Sequence, residues 1–202
     1  MTNRITELLK FESEAVKNIP IQASFEEAIN IIFEQVQIKG GKLVTSGMGK
    51  AGQIAHNMAT TFSSTGTPAT FMHPSEAQHG DLGLLQKNDV LLLISNSGKT
   101  REIIELIDLA RFLIPDIPVI VITGQQDSFL ANEANSTIWT GNPGEICPLG
   151  LSPTTSTTVM NVIGNILVVL MMEKIKFSSM DYAKRHHGGY LGDKSRTQAK
   201  EK

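Results

Sequence analysis

Leu91-Leu-Leu-Ile-Ser-Asn-Ser-Gly-Lys-Thr-Arg-Glu102 is the stretch that decides the fold of this chain. The apolar run from Val90 to Ile94 has the length and composition of a buried parallel strand. It stops at Ser95-Asn96-Ser97-Gly98, and a helical pattern follows with Ile103, Ile104, Leu106, Ile107 and Ala110 on one side. A strand that closes in small hydroxyl residues and a glycine, directly before a helix, is suited to hold an anion. Gly98 lets the backbone approach closely, the first helical turn offers unpaired N–H groups, and Ser95, Ser97 and Thr100 add hydroxyl donors. The stretch reads as a phosphate cradle. Gly98-Lys99-Thr100 also matches the end of a nucleoside-triphosphate P-loop, but that motif needs a glycine where Leu93 stands inside the strand. The plainer alternative is that Ser97 and Thr100 only cap a helix.

Outward from this stretch the chain alternates between strand and helix patterns. Strands are predicted at 42–46, 67–72, 89–95, 118–123 and 136–140, with helices at 50–64, 99–113 and 127–133. The strands are mostly apolar throughout, the pattern of a parallel sheet covered on both faces. The fold expected is α/β, a three-layer α/β/α sandwich around a five-stranded parallel flavodoxin-like sheet. Helices at 3–17 and 24–38 precede it, the second opening with Ser24 as N-cap and ending at Gly40-Gly41. A long helix from about Thr154 to Lys176 and a short one from Ser178 to Arg185 follow it. The chain reads as one domain over 1–202, with N-terminal helices in 1–41, the core in 42–192 and a frayed polar tail in 193–202.

A formal net charge of −2 gives no electrostatic reason to expect nucleic acid or an acidic membrane as partner. One cysteine, Cys147, leaves no intrachain disulfide and fits a reducing, cytoplasmic setting. The start Met-Thr-Asn-Arg-Ile-Thr-Glu lacks the apolar core of a signal peptide. The run Val159–Met172, fourteen residues interrupted by Asn161, Gly164 and Asn165, reads as a buried helix rather than a membrane span.

In a flavodoxin-like sheet the first and third strands flank the point where strand order reverses, and ligands bind beyond their carboxyl ends. The first strand ends in Thr45-Ser46-Gly47-Met48-Gly49-Lys50, so both glycine-serine turns face one crevice. Ser46, Gly47, Ser95, Asn96, Ser97 and Thr100 are therefore the candidate phosphate ligands. Gly47, Gly49 and Gly52 have the spacing of a dinucleotide fingerprint, but no acidic residue ends the next strand to receive a ribose hydroxyl. Lys50 puts a cation at the positive end of a helix, a conflict that a bound anion would remove. The loop His73-Pro-Ser-Glu76-Ala-Gln-His79-Gly-Asp81 packs four titratable groups into nine residues. Ligands six apart lie roughly 120° from each other around a helix, which argues against a metal; two histidines and an acid near a phosphate cradle suit proton transfer, with plain surface-loop histidines as the alternative. Glu102, Glu145 and His186 are further groups able to move protons, each also explicable as a helix-end residue.

These pieces together resemble the sugar isomerase (SIS) domain of the arabinose-5-phosphate isomerase family. The matching stretches are Ser46-Gly-Met-Gly-Lys50, Ser64-Thr-Gly-Thr-Pro68, His73-Pro-Ser-Glu-Ala77, His79-Gly-Asp-Leu-Gly83, Ser95-Asn-Ser-Gly98, Cys147-Pro-Leu-Gly-Leu151, Pro153-Thr-Thr-Ser-Thr157 and His186 with Gly188-Gly189. The resemblance implies interconversion of D-ribulose 5-phosphate and D-arabinose 5-phosphate without metal or cofactor, in a homotetramer. It places Lys50, His79, Glu102, Glu145 and His186 in the active site, with His186 reaching a neighbouring subunit's site. Three departures stand out. Lys99 replaces a glutamate and Arg101 adds charge, His187 replaces a proline, and the paired cystathionine-β-synthase domains that often follow are not expected because the sequence ends at Lys202. An isomerase of another phosphosugar and a non-catalytic phosphosugar sensor are the alternatives.

Overall fold

The five apolar runs form strands β1 (Leu43–Gly47), β2 (Ala69–Phe71), β3 (Val90–Ile94), β4 (Val119–Thr123) and β5 (Ser136–Trp139). The structure is a computed structural model that describes the backbone of residues 1–200 and the side chains of residues 1–198. All neighbouring strands are parallel, in the order β2-β1-β3-β4-β5. The helices are α1 (Thr2–Lys17), α2 (Ser24–Ile32), α3 (Gly49–Ser64), α4 (Pro74–Ala77), α5 (Arg101–Leu113), α6 (Phe129–Glu133), α7 (Thr155–Lys174), α8 (Ser179–Ala183) and α9 (Gly189–Lys200).

Why the strands read as unbroken apolar runs is visible in β3. Val90, Leu92 and Ile94 enter a core beneath α2, α3 and α7, whereas Leu91 and Leu93 enter a second core beneath α4, α5 and α6. Both faces are dry, so neither parity of the strand can be polar. Leu91, Leu92 and Leu93 are fully buried, and each such side chain contributes about 1.5–3 kcal/mol of burial. The edge at β5 is closed by a side chain: Gln22 Nε2 donates to Trp139 O at 2.9 Å and Gln22 Oε1 accepts from Trp139 N at 3.4 Å. That amide stands in for a missing neighbouring strand.

Helix α7 is long and apolar enough to cross a membrane by length and composition, but half of its most apolar window is buried inside the protein. It packs on α3, α1 and α2. Ser24, expected as an N-cap, is instead the first residue of α2, and its hydroxyl is buried without a partner among the described residues. The segment 33–38 continues α2 as a π-helical turn rather than as α-helix. The tail expected to fray is also different: residues 193–200 belong to α9, and 201–202 lie outside the described residues. Gly192 explains this, because a Cβ there would lie 2.6 Å from His186 O, so its absence lets α9 close onto the end of α8. Ser195, nearly buried, then donates to Gly192 O at 2.9 Å.

The amino ends of β1 and β3 are joined by one buried carboxylate. Asp89, 1% exposed, accepts from Lys42 N at 2.9 Å, Lys42 Nζ at 2.6 Å and Gln86 N at 2.8 Å. Removing it strands a partly buried ammonium and two amides. Asp89→Ala should lower unfolding stability by about 3 kcal/mol, measured by urea denaturation, while a Leu113→Ala control at an exposed position changes far less.

Candidate active site

Winding reverses between β1 and β3, so the loops after these strands part and leave a crevice. It holds a cavity of about 400 Å³ whose walls include Lys50, Ser95, Asn96, Ser97, Thr100, Gln125, Ser156 and Thr157. Lys50 and Ala51 come from the first turn of α3, Thr100 is the N-cap of α5, and Ser156 and Thr157 come from the first turn of α7. Three helix N-termini thus converge on one cavity, each with a partial positive charge; α3 and α5 keep unpaired N–H groups, whereas the start of α7 already donates to Glu145.

The wall at β3 is held in shape from behind. Gly98 has φ +60°, and a Cβ on it would lie 2.0 Å from Ser128 Oγ. Its amide donates to Ser95 Oγ at 3.1 Å, and its carbonyl accepts from Leu130 N at 3.2 Å, tying the turn to α6. Ser95 Oγ lies 2.7 Å from Thr100 Oγ1. Thr100 therefore makes no side-chain cap bond to α5, which leaves the first N–H groups of that helix to an incoming anion.

The structure sorts the sequence candidates into two sets. Lys50, Ser95, Asn96, Ser97 and Thr100 surround the cavity. Ser46 does not: it is fully buried and its hydroxyl donates to Met72 O at 2.7 Å, joining β1 to the end of β2. Gly47 serves packing, since a Cβ there would meet Ala51 at 2.9 Å; together with Gly52 it lets α3 sit close on β1. His79, Glu102, Glu145 and His186 lie outside the cavity's own walls. His79 is exposed, but the turn that bears it is hitched to α5: Gln78 Nε2 donates to Glu105 Oε2 at 2.6 Å, and Glu105 also takes Arg101 Nε at 2.6 Å. Glu102 lies in the first turn of that same helix.

Glu145 is held by the start of α7. Its Oε2 accepts from Thr154 N at 2.7 Å, Thr154 Oγ1 at 3.0 Å and Ser156 N at 3.3 Å. Burial pushes its carboxyl up, and the hydrogen bonds from Ser156 and Thr154 outweigh that and hold it below the ordinary carboxylate range. The neighbouring loop closes on itself through Cys147 Sγ, which accepts from Ser152 N at 3.2 Å and Leu151 N at 3.3 Å. His186 stacks on Tyr182 with ring centroids 3.7 Å apart, its Nδ1 at 3.1 Å from Tyr182 O. In the other histidine loop, His73 Nδ1 accepts from Ser75 N at 3.3 Å and caps α4. Among the described residues no group of three His, Cys, Asp or Glu side chains could hold a metal ion.

Gln125 was not singled out from the sequence, although it lines the cavity. The signal was present: it opens the polar turn after β4, the strand beside β3 in a flavodoxin-like order.

Comparison with known proteins agrees with this geometry. Residues 38–170 match the SIS domain. A chain from Bacteroides fragilis, described as a candidate phosphosugar isomerase involved in capsule formation, is 62% identical with a TM-score of 0.93, over 94% of this chain and 99% of that one. A protein of E. coli CFT073, solved in complex with arabinose 5-phosphate, is 35% identical with a TM-score of 0.83, over 92% of this chain and 96% of that one. Arabinose 5-phosphate isomerase KdsD of Francisella tularensis is 44% identical over 194 residues, 95% of this chain and 58% of that protein. Its namesake in Escherichia coli K12 is 47% identical over 154 residues, 76% of this chain and 46% of that protein. The chain spans about half the length of these curated relatives. By its matched segment and its geometry alike, the chain belongs to the SIS domain family.

Proposed function

We propose that this chain is a phosphosugar aldose–ketose isomerase interconverting D-arabinose 5-phosphate and D-ribulose 5-phosphate. The observation that carries the reading is the convergence of the open N-termini of α3 and α5, a lysine and the Ser95–Thr100 hydroxyl pair on one cavity. A phosphate dianion suits that field. The relatives named arabinose 5-phosphate isomerase and the neighbour holding arabinose 5-phosphate support this sugar over others.

The reaction moves one proton between C1 and C2 through an enediolate, with a second proton shifting between O1 and O2, so atoms balance without a cofactor. Ser95, Ser97, Thr100, Lys50 and the first N–H groups of α5 anchor the phosphate. Glu102 takes the carbon-bound proton. Glu145 suits that role less well, because hydrogen bonds favour its charged form and oppose protonation. It serves as a fixed acceptor for sugar hydroxyls. His79 and His186 carry protons at oxygen and assist opening of the aldose ring. The setting is cytoplasmic.

The working form is a homotetramer in which His186 acts in a neighbour's site. Ile166 and Val169 of α7 and Tyr190 and Leu191 of α9 are exposed apolar side chains in the single chain, a surface suited to association.

Pure protein given ribulose 5-phosphate should form arabinose 5-phosphate; binding without turnover would favour a sensor, and neither would point to another sugar. Thr100→Val, which removes one hydroxyl from the anion site, should raise KM about tenfold or more. In deuterated water, Glu102→Gln should abolish solvent exchange at C2, whereas Glu145→Gln should slow it and leave it measurable. The reverse pattern would exchange their roles. Mixing inactive His186→Ala with inactive Glu102→Gln under subunit exchange should restore part of the activity; exchange without recovery rules out shared sites.

A further inference from the structure

Glu12 lies on α1, remote in sequence from every group assigned above, yet it reaches the start of α7. Its Oε1 accepts from Thr155 Oγ1 at 2.7 Å. Thr155 is fully buried, and its oxygen accepts from Ile146 N at 3.2 Å. A threonine hydroxyl has a single proton. Because that proton goes to Glu12, the side facing Ile146 presents only lone pairs, as an amide donor requires. Ile146 adjoins Glu145, whose carboxylate is bound to Thr154 and Ser156. Two successive loop residues are thus pinned to three successive residues of the α7 start, and Glu12 is the one member supplied from elsewhere in the chain.

Two observations set this apart from ordinary packing. Helix α1 has no fully buried residue and touches the core only through half-buried side chains such as Ala15, so Glu12 is its one polar tie to the start of α7 among the described residues. The second oxygen, Glu12 Oε2, is buried with no hydrogen-bond partner among the described residues. An orphaned buried carboxylate oxygen weakens the folded state, so a residue present only for stability would be apolar here.

We propose that Glu12 is a positioning residue for the sugar-binding end of the site, orienting Thr155 so that the Ile146 amide and the Glu145 carboxylate are held against the start of α7, whose Ser156 and Thr157 line the cavity. The activity part of this inference rests on the isomerase reading given above; the geometric part does not.

The test compares Glu12→Leu, which removes the acceptor, Glu12→Gln, which keeps an acceptor oxygen, and the near-isosteric Thr155→Val. Glu12→Leu should leave the melting temperature close to wild type, because loss of the orphaned oxygen offsets the stranded Thr155 hydroxyl, while kcat/KM falls about tenfold to a hundredfold through misplacement of Glu145. Glu12→Gln should retain most of the activity. Thr155→Val should reproduce the loss, and the double variant Glu12→Leu/Thr155→Val should be little worse than either alone, since both cut one relay. Hydrogen exchange at the Ile146 amide should speed up in Glu12→Leu and Thr155→Val and stay near wild type in Glu12→Gln. Unchanged Ile146 exchange in both relay-cutting variants overturns the proposal, as does a loss of activity that only tracks a falling melting temperature. Should Glu12→Leu fail to fold, Thr155→Val carries the same readings. Should the unaltered protein turn over no sugar phosphate, the isomerase reading fails by itself, and Ile146 exchange still decides whether Glu12 holds the loop.

Discussion

The turn after β3 has room for no side chain at Gly98, where a Cβ would sit 2.0 Å from Ser128 Oγ, and much of the site's geometry follows from that contact. The left-handed backbone at φ +60° turns the chain sharply enough for α5 to start over the end of the sheet. The same residue fixes α6, because its carbonyl holds Leu130 N while Ser128 caps that helix through Ala131 N. Behind the cradle there is therefore a short helix locked to it rather than a mobile loop. Ser95 and Thr100 meet because the four residues between them can follow only this tight path.

Much of this was legible from residue order. Five apolar runs, four of them with hydroxyl and glycine ends, read as strands whose carboxyl termini carry polar turns, and the flavodoxin-like order brought the turns of β1 and β3 together. What order could not show was the direction of individual side chains. Thr45 and Ser46 are adjacent hydroxyl residues, and both point into the protein: Thr45 Oγ1 to Ala55 O and Ser46 Oγ to Met72 O. Each satisfies a carbonyl of a neighbouring element, an outcome set by packing of α3 and β2 on β1. Gln125 escaped notice for the opposite reason, since a glutamine in a polar turn carries no distinctive signal until β4 is known to lie beside β3. Helix α9 was hidden because its polar composition looks solvated, and only the close approach at Gly192 shows that it docks.

The charges of the site divide it into two ends. At the α3 and α5 end the helix starts carry Lys50 and hydroxyls, with no side-chain cap on either helix. At the α7 end the helix start is already occupied, because Glu145 accepts from Thr154 and Ser156 and Glu12 accepts from Thr155. The first two N-termini are open to an external anion, and the third has its anions built in. A ligand with a phosphate at one end and hydroxyls at the other meets complementary partners in one orientation, and the reversed orientation sets phosphate against Glu145.

That polarity also explains why the carboxylate at the α7 end need not be the proton acceptor. A group whose charged form is stabilised by three donors on one oxygen is a dependable anion and a reluctant base. Glu102 sits at the other helix start, in the first turn of α5, without a side-chain hydrogen bond among the described residues. The two carboxylates thereby differ in setting for a local reason: one is held by the start of α7, and the other stands in a helix start where Thr100 turned its hydroxyl toward Ser95 instead of toward the helix.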